Sequence, residues 1–409
     1  MKEVDNLIIG GGLAGGYAAI TLRQNDKNSS ITLVTDERHL PYDRVPLSKE
    51  YLQGKVKLES LYIRKPDFYT KNNIEIITGR RVVNLDLNNN IAVLDDNSEI
   101  KFKKLLLATG GYPRKLKMGE ENKLNVFYLR RIEHSDSIRE AALRSKKAVI
   151  IGGGFIGCEI ASSLKKIGVE STIIEKANNI LTLALDDETA QLIEKHFKIS
   201  GINVITGTSV KQFISQDDKV VGIETETGEE ITADMFVVGI GIKVSTDLAE
   251  KAGLDVNNGI MVDEFLRTKK ENVYAVGDVA NFYHPLYETH MRVEHYDVAV
   301  KHGKIAGANM AGQNSSFNDL PYFFSYMYNL NIYSWGMIKG YDYVVKRGQI
   351  DIEKGFLQFY FKKGQMIAVL GINTFKETDV ARKIIMSKKT FENPDILADK
   401  NRNLQEFLN

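Results

Sequence analysis

The sequence predicts an α/β chain in which two Rossmann-like dinucleotide-binding domains are followed by a C-terminal α+β domain. Three observations lead there. A strand–bend–helix–strand unit opens the chain with Gly10-x-Gly12-x-x-Gly15 at its bend, and a second unit of the same plan carries Gly152-x-Gly154-x-x-Gly157. Beyond about residue 314 the composition turns to aromatic-rich, alternating segments.

In the first unit, residues 4–9 read as a short buried strand, 10–15 as a tight bend, 14–23 as a helix turning small residues toward a sheet, and 31–35 as a second strand. Glycine at the bend lets the chain turn sharply and lets backbone approach a pyrophosphate, whose charge meets the amides at the helix N-terminus. Asp36 and Glu37 lie where a carboxylate accepts hydrogen bonds from a ribose. Asp36 leads and Glu37 is the alternative. The segment 104–107, apolar from Leu105 onward and stopped by Ala108-Thr109-Gly110-Gly111, reads as a strand leaving the domain.

The second unit repeats the plan with a strand over 148–151, the bend, a helix to residue 167 and a strand over 169–174 that ends in Glu175. The period is far too long for a solenoid, so this is a duplicated domain plan with two nucleotide sites. Glu175 would bond an adenosine ribose and repel a 2′-phosphate. That favours NADH over NADPH, with adjacent Lys176 the one cation arguing the other way. Two further strands end in small residues: Met235-Phe-Val-Val-Gly239-Ile240-Gly241, and Asn272-Val-Tyr-Ala-Val-Gly277-Asp278, whose acid is placed to bond a polyol chain. The expected organisation is a first domain over 1–115 and 245–313, a second over 116–244 and a third over 314–409. Within the third, the aromatics at 322–328 are expected to form core.

The 54 Lys and Arg nearly cancel the 53 Asp and Glu, which argues against a polycationic nucleic-acid surface. A single cysteine, Cys158, provides neither a redox dithiol nor the ligands of an iron–sulfur cluster, and is read as a small packed residue. No apolar run approaches the roughly 20 residues of a membrane helix, so the expected address is cytoplasmic. His284, His290, His295 and His302 are close in sequence but follow no metal-ligand spacing, and no metal is expected.

Over nearly its whole length the chain resembles the two-dinucleotide-binding flavoprotein oxidoreductases. The segment Pro41-Tyr42-Asp43-Arg44-Val45-Pro46-Leu47-Ser48-Lys49 is similar to the one that marks ferredoxin and rubredoxin reductases and apoptosis-inducing factor. Thiol-dependent branches place a cysteine near here, and this chain has none. The resemblance implies FAD in the first site and NADH in the second. It places Gly10, Gly12, Ala14 and Gly15 at the FAD pyrophosphate, Asp36 at its ribose, Val82 at the adenine, Arg44 and Arg130 at the polar edge, Ala108-Thr109-Gly110 alongside, and Gly277-Asp278 at the ribityl chain. For NADH it points to Gly152, Gly154, Phe155, Ile156, Gly157, Glu159, Glu175, Gly239 and Gly241. Lys49 matches the family's lysine near flavin N5 and Glu159 the carboxylate beside the nicotinamide, as an ion pair whose cation offsets the charge that hydride brings.

Arg292-Val293-Glu294-His295-Tyr296 precedes a helix over 298–310 whose N-terminus, by resemblance, faces the isoalloxazine. Its Arg-Val-Glu-His order resembles that of apoptosis-inducing factor. Where the family often has Trp-Ser-Asp-Gln, this chain has Phe324-Ser325-Tyr326-Met327. The implied activity is NADH-dependent reduction of FAD followed by single-electron delivery to a ferredoxin- or rubredoxin-like protein. The alternatives are an NADH oxidase or diaphorase using oxygen or quinone, and a redox-responsive binding protein. The sequence carries no signal of oligomeric state.

Overall fold

The computed structural model describes residues 1–118, 123–182 and 184–408, and the chain divides into two units. The first comprises Met1–Asp43, Lys57–Tyr112 and Ile242–Asp319; the second comprises Arg44–Val56, Pro113–Gly241 and Leu320–Asn409.

In the first unit, Leu7, Ile8 and Ile9 are buried in the strand Lys2–Ile9, as expected of a parallel strand covered on both faces. It pairs in parallel with Ile31–Val34 on one side (Ile9↔Val34) and Glu99–Leu107 on the other (Ile9↔Leu107). Ile74–Ile77 and Val273–Ala275 extend the parallel part of the sheet, while Ile91–Leu94 and Val82–Asp86 join it antiparallel. The first nucleotide helix, Leu13–Asn25, packs along the helix Tyr296–Met310. A Cβ on Gly303 would lie 2.3 Å from Ala14 O, and one on Gly307 2.5 Å from Ala18 O, so these helices meet backbone to backbone. The second helix starts two residues earlier than its apolar pattern predicts, with His295 as its N-cap.

The second unit holds another parallel sheet, in the order Asn203–Thr206, Glu170–Glu175, Lys147–Ile151, Met235–Val238, Val126–Tyr128. The second nucleotide helix, Phe155–Lys166, follows its central strand. A five-stranded antiparallel sheet, running from Tyr322–Met327 to Tyr343–Arg347 at its two edges, belongs to the same unit and is backed by the helix Lys376–Met386. Its core is made by Phe356, Phe359, Tyr360 and Phe361, all fully buried. The expectation that the 322–328 aromatics are core holds only for Phe323, which packs against the unit's buried core though only half-buried itself; Tyr322 and Phe324 are half-buried and Tyr326 is 42% exposed. Ser325 and Met327, on the same face as Phe323, are the residues this strand buries fully.

Residues 44–56 group with the second unit because its helices hold them. Ser135, on the helix Ile132–Ala142, donates to Leu47 O at 2.7 Å, and Ser163, on the second nucleotide helix, donates to Ser48 O at 2.6 Å. Gln53 Nε2 donates in turn to Ser163 Oγ at 2.9 Å, and Leu52 is fully buried in that unit's core.

Candidate active site

Both bends use one backbone device. Gly10 has φ +114°, and a Cβ there would sit 2.2 Å from Ala108 O; Gly152 has φ +109°, and a Cβ there would sit 2.4 Å from Gly239 O. The last glycine of each motif is as tightly placed, since a Cβ on Gly15 would lie 2.0 Å from Gly10 O and one on Gly157 2.0 Å from Gly152 O. The helices that follow are capped by Gly12 and Gly154, with neither a side-chain cap nor an acid in the first turn. Their leading amides are therefore left for an anion. Among the described residues, a Cβ on Gly154 would meet no atom within 4 Å, so that glycine answers no packing need among them and fits a close-lying pyrophosphate.

In the first unit, the two acids after the second strand have different surroundings. Glu37 is buried and accepts from Tyr42 Oη at 2.6 Å, whereas Asp36 is partly exposed and pairs with Arg81 Nη2 at 3.2 Å. Asp36 is thus the more accessible acid for a ribose. Val82 is buried at the start of its strand, Ala108 is buried beneath the bend, Thr109 Oγ1 donates to Ser245 O at 2.9 Å, and Gly110 has φ +60°. Gly277, φ +71°, brings its backbone against Ala14, where a Cβ would lie 3.1 Å from the alanine methyl, and Asp278 follows it. His302 Nδ1 accepts from the Gly277 amide at 3.4 Å, and burial pushes this imidazole down to about 3. Glu294 Oε1 accepts from Arg292 Nη1 at 2.5 Å. Burial takes His295 down to about 4 against the opposing pull of Asp278. It takes the Tyr296 phenol up to about 12, helped by the negative charge of Asp43.

In the second unit, Arg44 Nη1 donates to Arg130 O at 2.9 Å. Phe155 packs against Phe323 with ring centroids 5.1 Å apart, Ile156 is exposed beside it, and Gly241 has φ +91°. Glu175 is already engaged: Oε2 accepts from the Gly153 amide at 2.6 Å and Oε1 from the Ala177 amide at 2.7 Å, tying the strand end to the bend. A ribose would have to share those oxygens. Cys158 is fully buried, with Sγ 3.5 Å from Gly153 O, and burial holds its thiol well above the ordinary range, so it is packed and protonated.

The densest chemistry lies around Glu159. Lys49 Nζ is 2.6 Å from Glu159 Oε1, with side chains 7% and 6% exposed. Ser325 Oγ donates to the same oxygen at 2.5 Å and Ser48 Oγ to Oε2 at 2.5 Å. Two segments distant in sequence from Glu159 and from each other thus converge on its carboxylate. Sequence reasoning joined Lys49 to Glu159 but gave neither serine a role. The signal available was slight: Ser48 stands beside the lysine, and Ser325 alternates with aromatics that point the other way.

Comparison with known proteins adds an independent finding. The model of the pyridine nucleotide-disulphide oxidoreductases matches residues 4–303, and that of the reductase C-terminal domain matches 322–408. The chain belongs to the pyridine nucleotide-disulphide oxidoreductase family. Among its relatives, the putidaredoxin reductase of Pseudomonas putida is 33% identical over 100% of this chain and 98% of that protein. A rubredoxin–NAD(+) reductase of the same species is 32% identical over 83% and 88%. The crystal structure of the ferredoxin reductase for the CYP199A2 system from Rhodopseudomonas palustris superposes with a TM-score of 0.94, at 31% identity over 98% of this chain and 99% of that one. As a member of this family with the reductase C-terminal domain, the chain is an oxidoreductase whose paired glycine bends suit two dinucleotides.

Proposed function

We propose that this chain is an NADH-dependent FAD reductase that passes electrons singly to a ferredoxin- or rubredoxin-like protein. FAD, when bound, supplies the conversion of a two-electron hydride donor into one-electron deliveries. The first unit's bend, with Asp36, Val82, Ala108, Thr109, Gly110 and Asp278, holds FAD, assisted by Arg44 and Arg130. The second unit's bend, with Phe155, Ile156, Glu175, Gly239 and Gly241, holds NADH. The observation that supports this best is the buried Lys49–Glu159 pair. Lys49 offers a fixed cation to the charge that hydride brings to the flavin, and Glu159 orients Lys49 and the nicotinamide carboxamide. Amides at the start of the helix Tyr296–Met310 add to that stabilisation, with Glu294, His295 and Tyr296 shaping the approach. The relatives' names, putidaredoxin reductase and rubredoxin–NAD(+) reductase, support a small redox protein as acceptor, and we place the protein in the cytoplasm.

The test is anaerobic stopped-flow reduction by NADH, then reoxidation by a panel of ferredoxins, rubredoxins, quinone and oxygen. Rapid NADH reduction with preference for one small redox protein supports the proposal. Fast turnover on oxygen or quinone without such preference would replace it with an oxidase, and a long-lived reduced complex with NADH-dependent association would replace it with a redox-responsive binding protein.

A further inference from the structure

The Glu159 carboxylate accepts from Lys49 and Ser325 on one oxygen and from Ser48 on the other. The donors come from two stretches of chain: Lys49 and Ser48 from the turn pinned by Ser135 and Ser163, and Ser325 from the edge strand Tyr322–Met327 of the C-terminal sheet. All four side chains are nearly inaccessible, with Ser325 at 1% and Ser48 at 2%. A buried carboxylate held through one oxygen by one ammonium could rotate about its last torsion. With both oxygens engaged by hydroxyls, that rotation breaks a charge-assisted bond. Fixing the carboxylate fixes Lys49 Nζ, which directs one of its three N–H donors to Glu159.

We infer that Ser325 is a positioning residue for reduction of the flavin by NADH: through Glu159 it sets the place of the Lys49 ammonium. The inference rests on the proposed NADH-to-FAD reaction. It assigns part of the hydride half-reaction to a strand of the C-terminal sheet, where the sequence led only to an expectation of aromatic core. The inward turn of Ser325, with Phe324 and Tyr326 on the opposite face of the strand, is the local geometry that makes this possible.

The experiment compares holoenzyme carrying Ser325→Ala, Ser48→Ala, Glu159→Gln and the Ser325→Ala/Glu159→Gln double change. Reduction by NADH is followed by stopped flow, and the midpoint potential of the bound FAD by spectroelectrochemistry. Ser325→Ala should slow flavin reduction at saturating NADH by about three- to tenfold, leave the NADH concentration for half-maximal rate nearly unchanged, and make the potential more negative. Ser48→Ala, which reaches the same carboxylate without touching the C-terminal sheet, should give the same signature. In the Glu159→Gln background the Ser325 effect on rate and potential should largely vanish, because a residue acting through the carboxylate has nothing left to act on. Where alanine leaves too little holoenzyme, Ser325→Cys keeps the volume, weakens the donor and serves in the same cycle. A rate and potential unchanged by Ser325→Ala, or losses that multiply in the double variant, overturns the inference and marks Ser325 as sheet packing. Wild-type protein whose flavin is not reduced by NADH overturns the proposed function itself, which is a separate and visible outcome.

Discussion

Replacing Lys49 by methionine keeps the stem and removes the charge, leaving the Glu159 carboxylate buried with only the Ser48 and Ser325 hydroxyls. At the observed 2.6 Å, two unit charges attract by roughly 6 kcal/mol for an effective dielectric of about 20, an upper bound before the desolvation both ions have suffered. Deleting one partner of a buried pair usually costs about 3–5 kcal/mol, because the other charge stays behind. The two remaining hydroxyl donors place this case at the low end, about 3 kcal/mol. For a unit of roughly 200 residues that lowers Tm by about 6–12 °C. Glu159→Gln removes the stranded charge, so the double variant Lys49→Met/Glu159→Gln should recover most of the loss. The assay is calorimetric melting of the four members of that cycle, with FAD content read from the visible spectrum and flavin reduction from stopped flow. FAD content should survive while reduction by NADH slows roughly a hundredfold. A Lys49→Met protein melting within about 2 °C of wild type, or a double variant no better than the single one, would show that the pair does not hold compensating charges as described.

Gly154→Ala should leave melting and FAD content unchanged while raising the NADH KM about tenfold, since the added methyl meets no atom of the described residues and lies in the cofactor's approach; an unaltered KM refutes that placement. Gly157→Ala, whose methyl would collide with Gly152 O, should instead lose folded protein, and normal expression and melting would contradict the packing. Glu175→Ala should improve NADPH use relative to NADH and also lower Tm by a few degrees, because two backbone amides lose their acceptor; a constant NADPH to NADH ratio removes Glu175 from cofactor selection. His302 and His295 have folded values of about 3 and about 4 against 6.5 for a free imidazole, so the unfolded chain takes up protons first as pH falls. Each then withdraws about 1.4 kcal/mol of stability per pH unit below 6.5, down to its own folded value. Denaturant titrations of His302→Gln between pH 7 and 4.5 should show a correspondingly flatter slope, and an unchanged slope would exclude His302 as a source of acid sensitivity.

The two nucleotide bends were legible because their demands are local. Gly10 and Gly152 occupy positive φ, and Gly15 and Gly157 sit against the backbone of their own bend, so each position disfavours a side chain for reasons written within a few residues; the Ala108 and Gly239 carbonyls that also crowd Gly10 and Gly152 come from the ends of distant strands. Strands buried on both faces announced themselves as unbroken apolar runs for the same reason. The environment of Glu159 was only half legible. A lysine and a glutamate of opposite charge can be paired by resemblance, but hydroxyls from positions 48 and 325 meet there only through the fold, and serine has too many ordinary uses to signal such a meeting. The engagement of Glu175 by backbone amides was hidden in the same way, since a strand-end acid reads alike whether it serves a ribose or its own turn. The aromatics at 322–326 misled because hydrophobicity was read without strand alternation, which turns Ser325 rather than its neighbours inward.

The glycine-to-carbonyl seam joining helix Leu13–Asn25 to helix Tyr296–Met310 has a practical bearing on how mutants of this protein are read. A methyl at position 303 or 307 would wedge the seam open and tilt the amides that begin the earlier helix, with no ligand needing to be touched. A library sorted by yellow colour would therefore return Gly303 and Gly307 alongside Gly10, and a pale colony would report a displaced support as readily as a damaged grip.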